Sequence, residues 1–327
     1  MENVKSLTPA SLLIKLSLLF CLLLASIFVS LQIGSVNLSF TEIFSSNEII
    51  IKIRLPRILL AVSVGGGLSV AGAVFQAILM NPLAEPYILG VSSGGTFGAI
   101  LSLLLGLSFF GTQALAFMGS FAVIILVFIL AKRFGILEPN VLLLTGVMVG
   151  AFFSAAILLM ITLLDESLRT AIFWLIGNLS LADLSSVNFI LPLTIVISAA
   201  LALMGQKFNV MALGDEGSKN LGINIKMMRN ISYILASLLV SLAVSVSGII
   251  GFVGLLIPHA CRLIFGTDNR VIIPASFFCG AAFLTIADTF ARVIISPAEL
   301  PVGAVTALIG APVFIFLLKN RVTVMGK

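Results

Sequence analysis

Four titratable residues stand out because they fall within or beside long apolar stretches: His259, Asp288, Arg292 and Glu299. Asp288 and Arg292 are four residues apart, which would place them on one face of a helix. Ionisable groups at membrane depth either pair with one another or carry protons and ions. We therefore predict that Asp288 pairs with Arg292, with a proton-relay or catalytic role as the alternative. We predict that His259 is a structural hydrogen-bonding residue rather than a ligand.

The remaining reactive residue types do not indicate an active site or a metal centre. The chain has one His, so it cannot build a His-based metal site. Cys21, Cys261 and Cys279 are far apart in sequence, lie in apolar surroundings and are predicted to pack as small hydrophobic residues. The Gly-x-x-x-x-Gly-Lys-Ser/Thr pattern does not occur, which excludes a P-loop for ATP in this chain. We predict no catalytic residue, no metal and no cofactor here.

A different kind of chemistry is indicated by the polar stretch 214–230, which is flanked by apolar segments. It carries two acidic and three basic residues. Gly222 followed by Asn224 is typical of a helix end and a new N-cap. The pattern predicts two short helices hinged at Gly222. A membrane chain that places such a segment in water usually presents it to a partner.

The elements that position these residues are predicted by composition. Hydrophobic residues make up 60% of the chain and charged residues 9%, which excludes a soluble domain. Apolar runs of about 20 residues recur, each long enough to cross the hydrocarbon core of a bilayer. The sequence predicts an all-α integral membrane fold in a single domain, 1–327. Ten elements are predicted, at 12–33, 56–79, 87–110, 113–131, 141–164, 187–205, 231–251, 252–265, 271–295 and 302–318.

Two of these elements need comment. The first could be a signal peptide, but its apolar core is long and no clean cleavage site follows, so we predict a retained span. The eighth is short and contains Pro258, which predicts a broken half-helix. The chain after residue 187 also weakly resembles the part before it, as in transporters built from inverted repeats.

Orientation is predicted from the basic residues near the ends of the elements. With the N-terminus in the cytosol, thirteen of the 18 Lys and Arg residues fall inside. Ten elements then place both termini, and the stretch 214–230, in the cytosol. The five exceptions are Lys52, Arg54, Arg57, Arg169 and Arg292. Arg54, Arg57 and Arg292 on the external face suggest an acidic external partner, with snorkelling from helix ends as the alternative. The net charge of +5 lies in loops that face membrane surfaces and does not indicate nucleic acid.

Glycines along the second and third elements give helix faces without side chains. They allow either close packing or a wide pathway, and the sequence leaves both open. Few fixed charges lie along the elements, so the pathway would suit a large solute better than a single ion. On this basis Gly66 and Gln76 are predicted to line the pathway.

Several long motifs of this chain resemble those of the FecCD permease family. In the first half they are RLPR at 54–57, GAVFQ at 72–76, NPLAEP at 81–86 and LGVSSG at 89–94. In the second half they are LGIN at 221–224, GFVGLLIPHACR at 251–262, AD at 287–288, AR at 291–292 and ELPVGAVTALIGAP at 299–312. The resemblance covers nearly the whole chain from about residue 50.

The resemblance implies the membrane subunit of a type II ABC importer for iron–siderophore complexes, haem or vitamin B12 in the cytoplasmic (inner) membrane. It implies a second permease copy, identical or closely related, two cytosolic ATPase subunits that bind ATP and Mg²⁺, and a periplasmic or lipid-anchored binding protein. It also implies that helices at 212–229 couple to the ATPase and that Arg54, Arg57 and Arg292 dock the binding protein. Pro139 and Asn140 resemble the inner gate. The implied coupling residues are Gly214, Asp215, Glu216, Leu221, Gly222, Ile223 and Arg229.

Three functions were compared. The resemblance favours import of a siderophore, haem or cobalamin, with iron complexes as the broadest class. An ion-coupled secondary transporter would use Asp288 and Glu299 as coupling groups. An integral-membrane enzyme would need a convergent polar cluster, which the sequence does not indicate.

Overall fold

The computed structural model describes residues 8–34, 48–133, 136–164, 167–180, 182–295 and 298–325. These residues form thirteen α-helices and a short antiparallel hairpin. The hairpin pairs β1 (Lys132–Arg133) with β2 (Ile136–Leu137). The helices are α1 (Pro9–Gln32), α2 (Leu55–Ile78), α3 (Val91–Leu104), α4 (Phe109–Leu130), α5 (Pro139–Ile161), α6 (Leu168–Ile176), α7 (Leu184–Leu203), α8 (Gly205–Met211), α9 (Gly214–Asn220), α10 (Ile225–Ser247), α11 (Val253–Phe265), α12 (Asn269–Val293) and α13 (Val302–Met325).

Seven helical segments are long and apolar enough to cross a membrane: α1, α2 with the π-helical turn Ile50–Arg54 before it, α4, α5, α7, α10 and α12. Three shorter apolar helices accompany them, namely α3, α11 and the 302–317 part of α13. Within the described residues these ten segments correspond to the ten elements expected from sequence. The all-α membrane fold is therefore confirmed.

The third element is shorter than predicted. A 3-10 turn, Pro86–Leu89, precedes Gly90, whose φ of 76° lies in the left-handed region that glycine adopts without strain. Only then does α3 begin, and its 14 residues span about 21 Å at 1.5 Å per residue. The predicted span 87–110 is therefore wrong at both ends, because the turn and the start of α4 occupy part of it.

Helix α2 forms the centre of the molecule and is buried along nearly its whole length. It packs against α12, α10, α11 and α7. Small residues permit this close packing, because a Cβ at Gly65 would overlap the carbonyl of Gly280 and one at Gly72 the carbonyl of Gly254. The sequence left two uses of the glycines open, close helix packing and a wide pathway. At Gly65 and Gly72 the structure shows close helix packing.

Pro258 lies inside α11 but does not break it, contrary to the sequence prediction of a broken segment. The helix is a single piece of 13 residues, about 20 Å long. The half-helix itself is confirmed by this length. Proline removes one hydrogen bond to the carbonyl four residues earlier, that of Gly254, and a neighbouring side chain compensates for it as described below.

The polar stretch breaks at Gly222 as predicted, but the pair of short helices lies before this break rather than on either side of it. The two short helices are α8 and α9, and α9 begins at Gly214, where φ is 86°. Gly222, with φ of 75°, ends this region, and the Oδ1 of Asn224 caps α10 by accepting from the Met227 N–H at 3.0 Å. The predicted N-cap is confirmed. The predicted second short helix is wrong, because those residues form the first turns of α10.

Candidate functional site

The end of the molecule where α1 and α12 finish and α2 starts holds a buried ionic cluster. The Arg57 guanidinium donates to both oxygens of Asp288 at 2.9–3.0 Å and to Glu299 Oε2 at 2.6 Å. Arg292 Nε lies 3.3 Å from Asp288 Oδ2. Arg57 and Asp288 are 4% and 1% exposed. We call Arg57, Asp288, Arg292 and Glu299 the outer ion cluster, after the side of the membrane predicted for them from the sequence.

The sequence prediction for Asp288 is confirmed in part by this geometry. Asp288 does pair with Arg292, its neighbour on the same helix, but its closer partner is Arg57 from α2. Arg292 also donates to the Ser30 hydroxyl at 2.7 Å, and the Thr289 hydroxyl bonds Ser30 as well. The contribution of Ser30 was missed, because a serine inside an apolar helix carries no distinguishing pattern.

Arg54 lies next to this cluster and is also buried. Its guanidinium donates to the backbone carbonyls of Leu31 and Gln32, at the C-terminal end of α1. A helix C-terminus has unsatisfied carbonyls and a partial negative charge, so a guanidinium is well placed there. Arg54, Arg57 and Arg292 therefore all have partners inside the chain. Docking of a binding protein at these three residues stays a prediction.

At the end of the molecule opposite the outer ion cluster, α7 is followed by the segment α8–α9. This segment and its flanks carry exposed apolar side chains. Leu213 is 65% exposed, Leu221 61% and Met227 58%. Leu221 was predicted as a coupling residue, whereas the other two lie inside the predicted range without having been singled out. Gly214 and Gly222 have open space around them, and Ile223 is half-buried. Asp215 and Glu216 lie in α9, but their side chains are outside the described part of the chain.

Hydrogen bonds hold α9 to α8, and α8 to the start of α12. Ser218 Oγ of α9 lies 2.9 Å from the Val210 carbonyl and 2.7 Å from that of Gly214. Asn209 of α8 bonds the residues that start α12. The exposed apolar surface is therefore mounted on a segment with defined contacts.

Arg229 is buried rather than exposed with the other predicted coupling residues. It lies on α10 and lines a small crevice with Pro139, at the first position of α5, and with the end of α2. Asn140 is exposed beside it. One predicted coupling residue and one predicted gate residue thus lie together at the same end of the molecule.

Gln76 and Gly66, the other two residues predicted for the pathway, are packed inside the subunit. Gln76 Nε2 lies 3.3 Å from the Ala84 carbonyl and 3.4 Å from those of Gly254 and Leu255, and its Oε1 accepts from Arg262. The Gly254 carbonyl is the one left without a helical partner by Pro258. At Gly66, a Cβ would lie 2.7 Å from the ring of Phe277. Both residues are buried against other helices of the same subunit, and their pathway role stays a prediction.

The turn between α2 and α3 is fixed to the non-helical segment 248–252. Glu85 Oε1 accepts from the Phe252 N–H at 2.8 Å, and the Tyr87 hydroxyl accepts from the Ile250 N–H at 3.0 Å. Phe252 has a φ of 69°, an unusual value for a residue with a side chain. The motifs at 81–86 and 251–262 therefore contact each other, through Glu85 and Phe252. Part of each motif forms this junction.

His259 and the cysteines have the surroundings expected for structural residues. His259 is buried and packs edge-on against Phe314, with ring centroids 5.6 Å apart. The three cysteines are free thiols. Among the described residues, no group of three His, Cys, Asp or Glu side chains is arranged to hold a metal ion.

Comparison with known proteins gives a consistent result. A family model described as the FecCD transport family matches residues 22–320. The cobalamin import system permease protein of Halobacterium salinarum is 40% identical over 270 residues, which are 82% of this chain and 73% of that protein. The hemin transport system permease protein of Yersinia pestis is 35% identical over 319 residues, which are 94% of this chain and 95% of that protein. An ABC transporter of metal-chelate type, solved in an inward-facing conformation, matches with a TM-score of 0.86 and 33% identity over 94% of this chain and 99% of that chain.

Proposed function

This chain belongs to the FecCD transport family, and from that premise we propose that it is the membrane-spanning permease of an ATP-driven importer for an iron complex or cobalamin. The chain itself is the non-catalytic subunit, and ATP with Mg²⁺ binds a separate ATPase. Relatives named for cobalamin and for hemin are similarly close, at 40% and 35% identity. They support a large metal-containing solute and leave the choice within that class to experiment.

The observation that carries this proposal is the exposed apolar surface on α9 and its flanks. Leu213 and Leu221 lie in a charged segment outside the candidate membrane spans, and Met227 lies in the first turn of α10 beside that segment. Lipid would therefore not cover Leu213 and Leu221. Apolar side chains grouped in water mark a protein contact. We assign this surface to the ATPase, whose closure on ATP would push α9 and alter the tilt of the long helices.

The experiment is co-purification from the native membrane. The tagged permease should bring down a nucleotide-binding subunit with vanadate-sensitive ATPase activity. The double variant Leu213→Asn/Leu221→Asn should lose that subunit, because it removes the apolar contact without adding charge. Leu168→Asn, an exposed leucine on α6 at the opposite end of the molecule, is the matched control and should retain it. Equal recovery of the ATPase by all variants would contradict the assignment.

The outer ion cluster is proposed to lie beneath the docking surface for the binding protein. Glu299 is its most exposed member, with 39% of the side chain accessible, whereas Arg57 and Arg292 are covered. Charge reversal at Arg57 would break the fold before it reported on docking. Arg54→Gln is the better test, because an amide can still donate to the Leu31 and Gln32 carbonyls. Weaker binding-protein affinity with unchanged thermal stability would support docking at Arg54.

Assembly with a second permease copy and cytosolic placement of both termini complete the proposal. Helix α5 supports the first point, because Leu142 and Ile157 are the only buried apolar side chains among its described residues, Pro139–Ile161. The excess of basic residues at one set of helix ends supports the second. Cysteine accessibility to a membrane-impermeant reagent at Lys219 and Lys52, replaced one at a time, tests orientation. Labelling of Lys52→Cys alone in intact cells is expected.

The ion-coupled transporter receives no support from Asp288. This carboxylate is 1% exposed, bonds Arg57 and lies beside Arg292, so the two arginines occupy the positions that a carried ion would need. Substrate identity is tested by uptake of labelled ferric chelates, haem and cobalamin with the cognate binding protein. We expect a ferric complex to be taken up.

A further inference from the structure

The side chain of Asn209 bonds the segment that carries the proposed ATPase contact to the start of one long helix, α12. Asn209 lies on α8, half-buried, and faces the start of α12. Its Oδ1 accepts from the Asn269 backbone N–H at 2.8 Å and from Asn269 Nδ2 at 3.0 Å. Its Nδ2 donates to Asp268 Oδ1 at 2.6 Å. Asn209 thus uses both its acceptor and its donor on the first residues of one helix.

Asp268 is well suited to receive this bond. It is the N-cap of α12, accepting from the Arg270 N–H at 3.0 Å, and it forms an ion pair with the Arg270 side chain. These bonds, those from Arg270 first, lower the pKa of Asp268 to about 2. The carboxylate is therefore ionised at neutral pH and offers only acceptors to Asn209.

The packing around these bonds is close. A Cβ added at Gly205, the first residue of α8, would lie 3.0 Å from the backbone of Asn269 and Arg270. Phe208 and Met211 of α8 are buried. On its other side α8 holds α9 through the bond from Ser218 to the Val210 carbonyl. A displacement of α9 is therefore passed to α8 and then to the start of α12.

Helix α12 connects this contact to the other end of the molecule. It runs without interruption from Asn269 to Val293, through Pro274, and lies along α2. Asp288 is 20 residues beyond Asp268, about 30 Å along the helix at 1.5 Å per residue. There it enters the outer ion cluster through Arg57. One helix therefore has the α8 contact at its start and the outer cluster near its end.

We propose that Asn209 is a positioning residue that couples movement of α9 to α12, and through α12 to the outer ion cluster. This inference rests on the proposed function, in which an ATPase moves α9. Asn209 acts by holding α8 to Asp268 and Asn269, without contact to a substrate or a nucleotide.

The test compares hydrogen exchange in the purified complex of permease and ATPase, with and without ATP and vanadate. In the wild type, trapping nucleotide changes amide exchange near α9 and also at the outer end of α12, around residues 288–300. In Asn209→Asp, the hydrogen bond from the amide to Asp268 is lost, and the carboxylates at positions 209 and 268 repel each other. The change at the outer end is then lost, while the change near α9 and the ATPase activity persist.

A reciprocal exchange provides the rescue. In Asn209→Asp with Asp268→Asn, the amide and the carboxylate have traded places, and asparagine remains a good N-cap. The response at the outer end returns. Asp268→Asn alone leaves an acceptor for Asn209 and retains the response. If Asn209 only supported the fold, its replacement would instead lower the stability of the complex and reduce both exchange changes, near α9 and at the outer end, together.

Asn209→Ala removes the bonds without adding charge and serves if Asn209→Asp does not fold. Two results from the variants would overturn the inference. One is a wild-type response at the outer end in Asn209→Ala, and the other is a response of the double variant no larger than that of Asn209→Asp. A wild-type complex that responds near α9 but never at the outer end would also overturn it. If no ATPase co-purifies with the wild-type chain, the proposed function itself fails, which is a separate result.

Discussion

At the scale of the residue, the outer ion cluster shows how a charged group is tolerated inside a membrane protein. Asp288 is bonded to Arg57 and paired with Arg292, and Glu299 supplies a second carboxylate to Arg57. Removing one partner from such a cluster leaves an uncompensated buried charge, which costs far more than the pair contributes.

Asp288→Asn is therefore expected to destabilise the permease by about 3 kcal/mol, because two buried arginines lose their shared counter-ion. The measurement is the temperature of half-unfolding in detergent. Glu299→Gln should lower it less, since this side chain is partly exposed and Arg57 keeps Asp288. Glu48→Gln, at the exposed pair with Lys52, is the control and should leave the temperature unchanged. Equal shifts for all three would refute the role of burial.

Gln76 gives a second expectation at this scale. Gln76→Glu keeps an oxygen for Arg262 but removes the N–H groups that face the carbonyls of Ala84, Gly254 and Leu255. Leaving buried acceptors unsatisfied costs about 1–3 kcal/mol, so unfolding in detergent should begin at lower temperature. The control is Gln113→Glu, whose half-buried side-chain oxygen still accepts from Ser186. A Gln76→Glu protein as stable as that control would show that these bonds are dispensable.

At the scale of the element, the glycines of α2 set the distances between helices. A Cβ at Gly72 would overlap the backbone of Gly254, which cannot move without shifting α11. A Cβ at Gly67 would instead lie 3.2 Å from the methyl group of Thr194, a side chain that can adjust. The two positions on one helix therefore differ in what they tolerate.

Gly72→Ala is expected to separate α2 from α11 and to abolish the yield of folded, monodisperse protein. Gly67→Ala on the same helix should give near-normal yield, because only side chains need to move and alanine favours a helix. Size-exclusion chromatography in detergent measures both. Should Gly72→Ala elute as the wild type does, the contact between these helices would not be as close as the structure places it.

In the whole molecule, long helices join two ends that differ in their side chains. One end presents apolar side chains on and around α9, and the other holds the outer ion cluster. Family membership assigns the chain to an importer, and the two ends are where an ATPase and a binding protein are proposed to act.

The permease alone, reconstituted in liposomes, is expected to take up no substrate under a proton or sodium gradient, because Asp288 is held by arginines and no ATPase is present. Adding the ATPase subunits, the binding protein and internal ATP should start uptake of the ferric chelate, haem or cobalamin supplied. Empty liposomes and a hydrolysis-deficient ATPase are the controls. Gradient-driven uptake by the permease alone would revive the secondary transporter.

The membrane class, the ten apolar segments and the family could all be predicted from the sequence. Length and hydropathy are local properties, and each span must satisfy its backbone hydrogen bonds internally. The N-cap Asn224 could be predicted for the same reason, since a cap involves neighbours three residues away.

Contacts between residues far apart in the chain could not be predicted and are known from the three-dimensional structure. Arg57 and Asp288 are 231 residues apart in sequence, and nothing local connects them. The residues after Gly222 looked like a separate short helix, but they form the first turns of α10. Gln76 proved to complete the backbone of α11, a role set by Pro258 far along the chain. An apolar or small side chain has the same pattern whether it faces lipid, a partner or another helix, so those choices depend on three-dimensional packing.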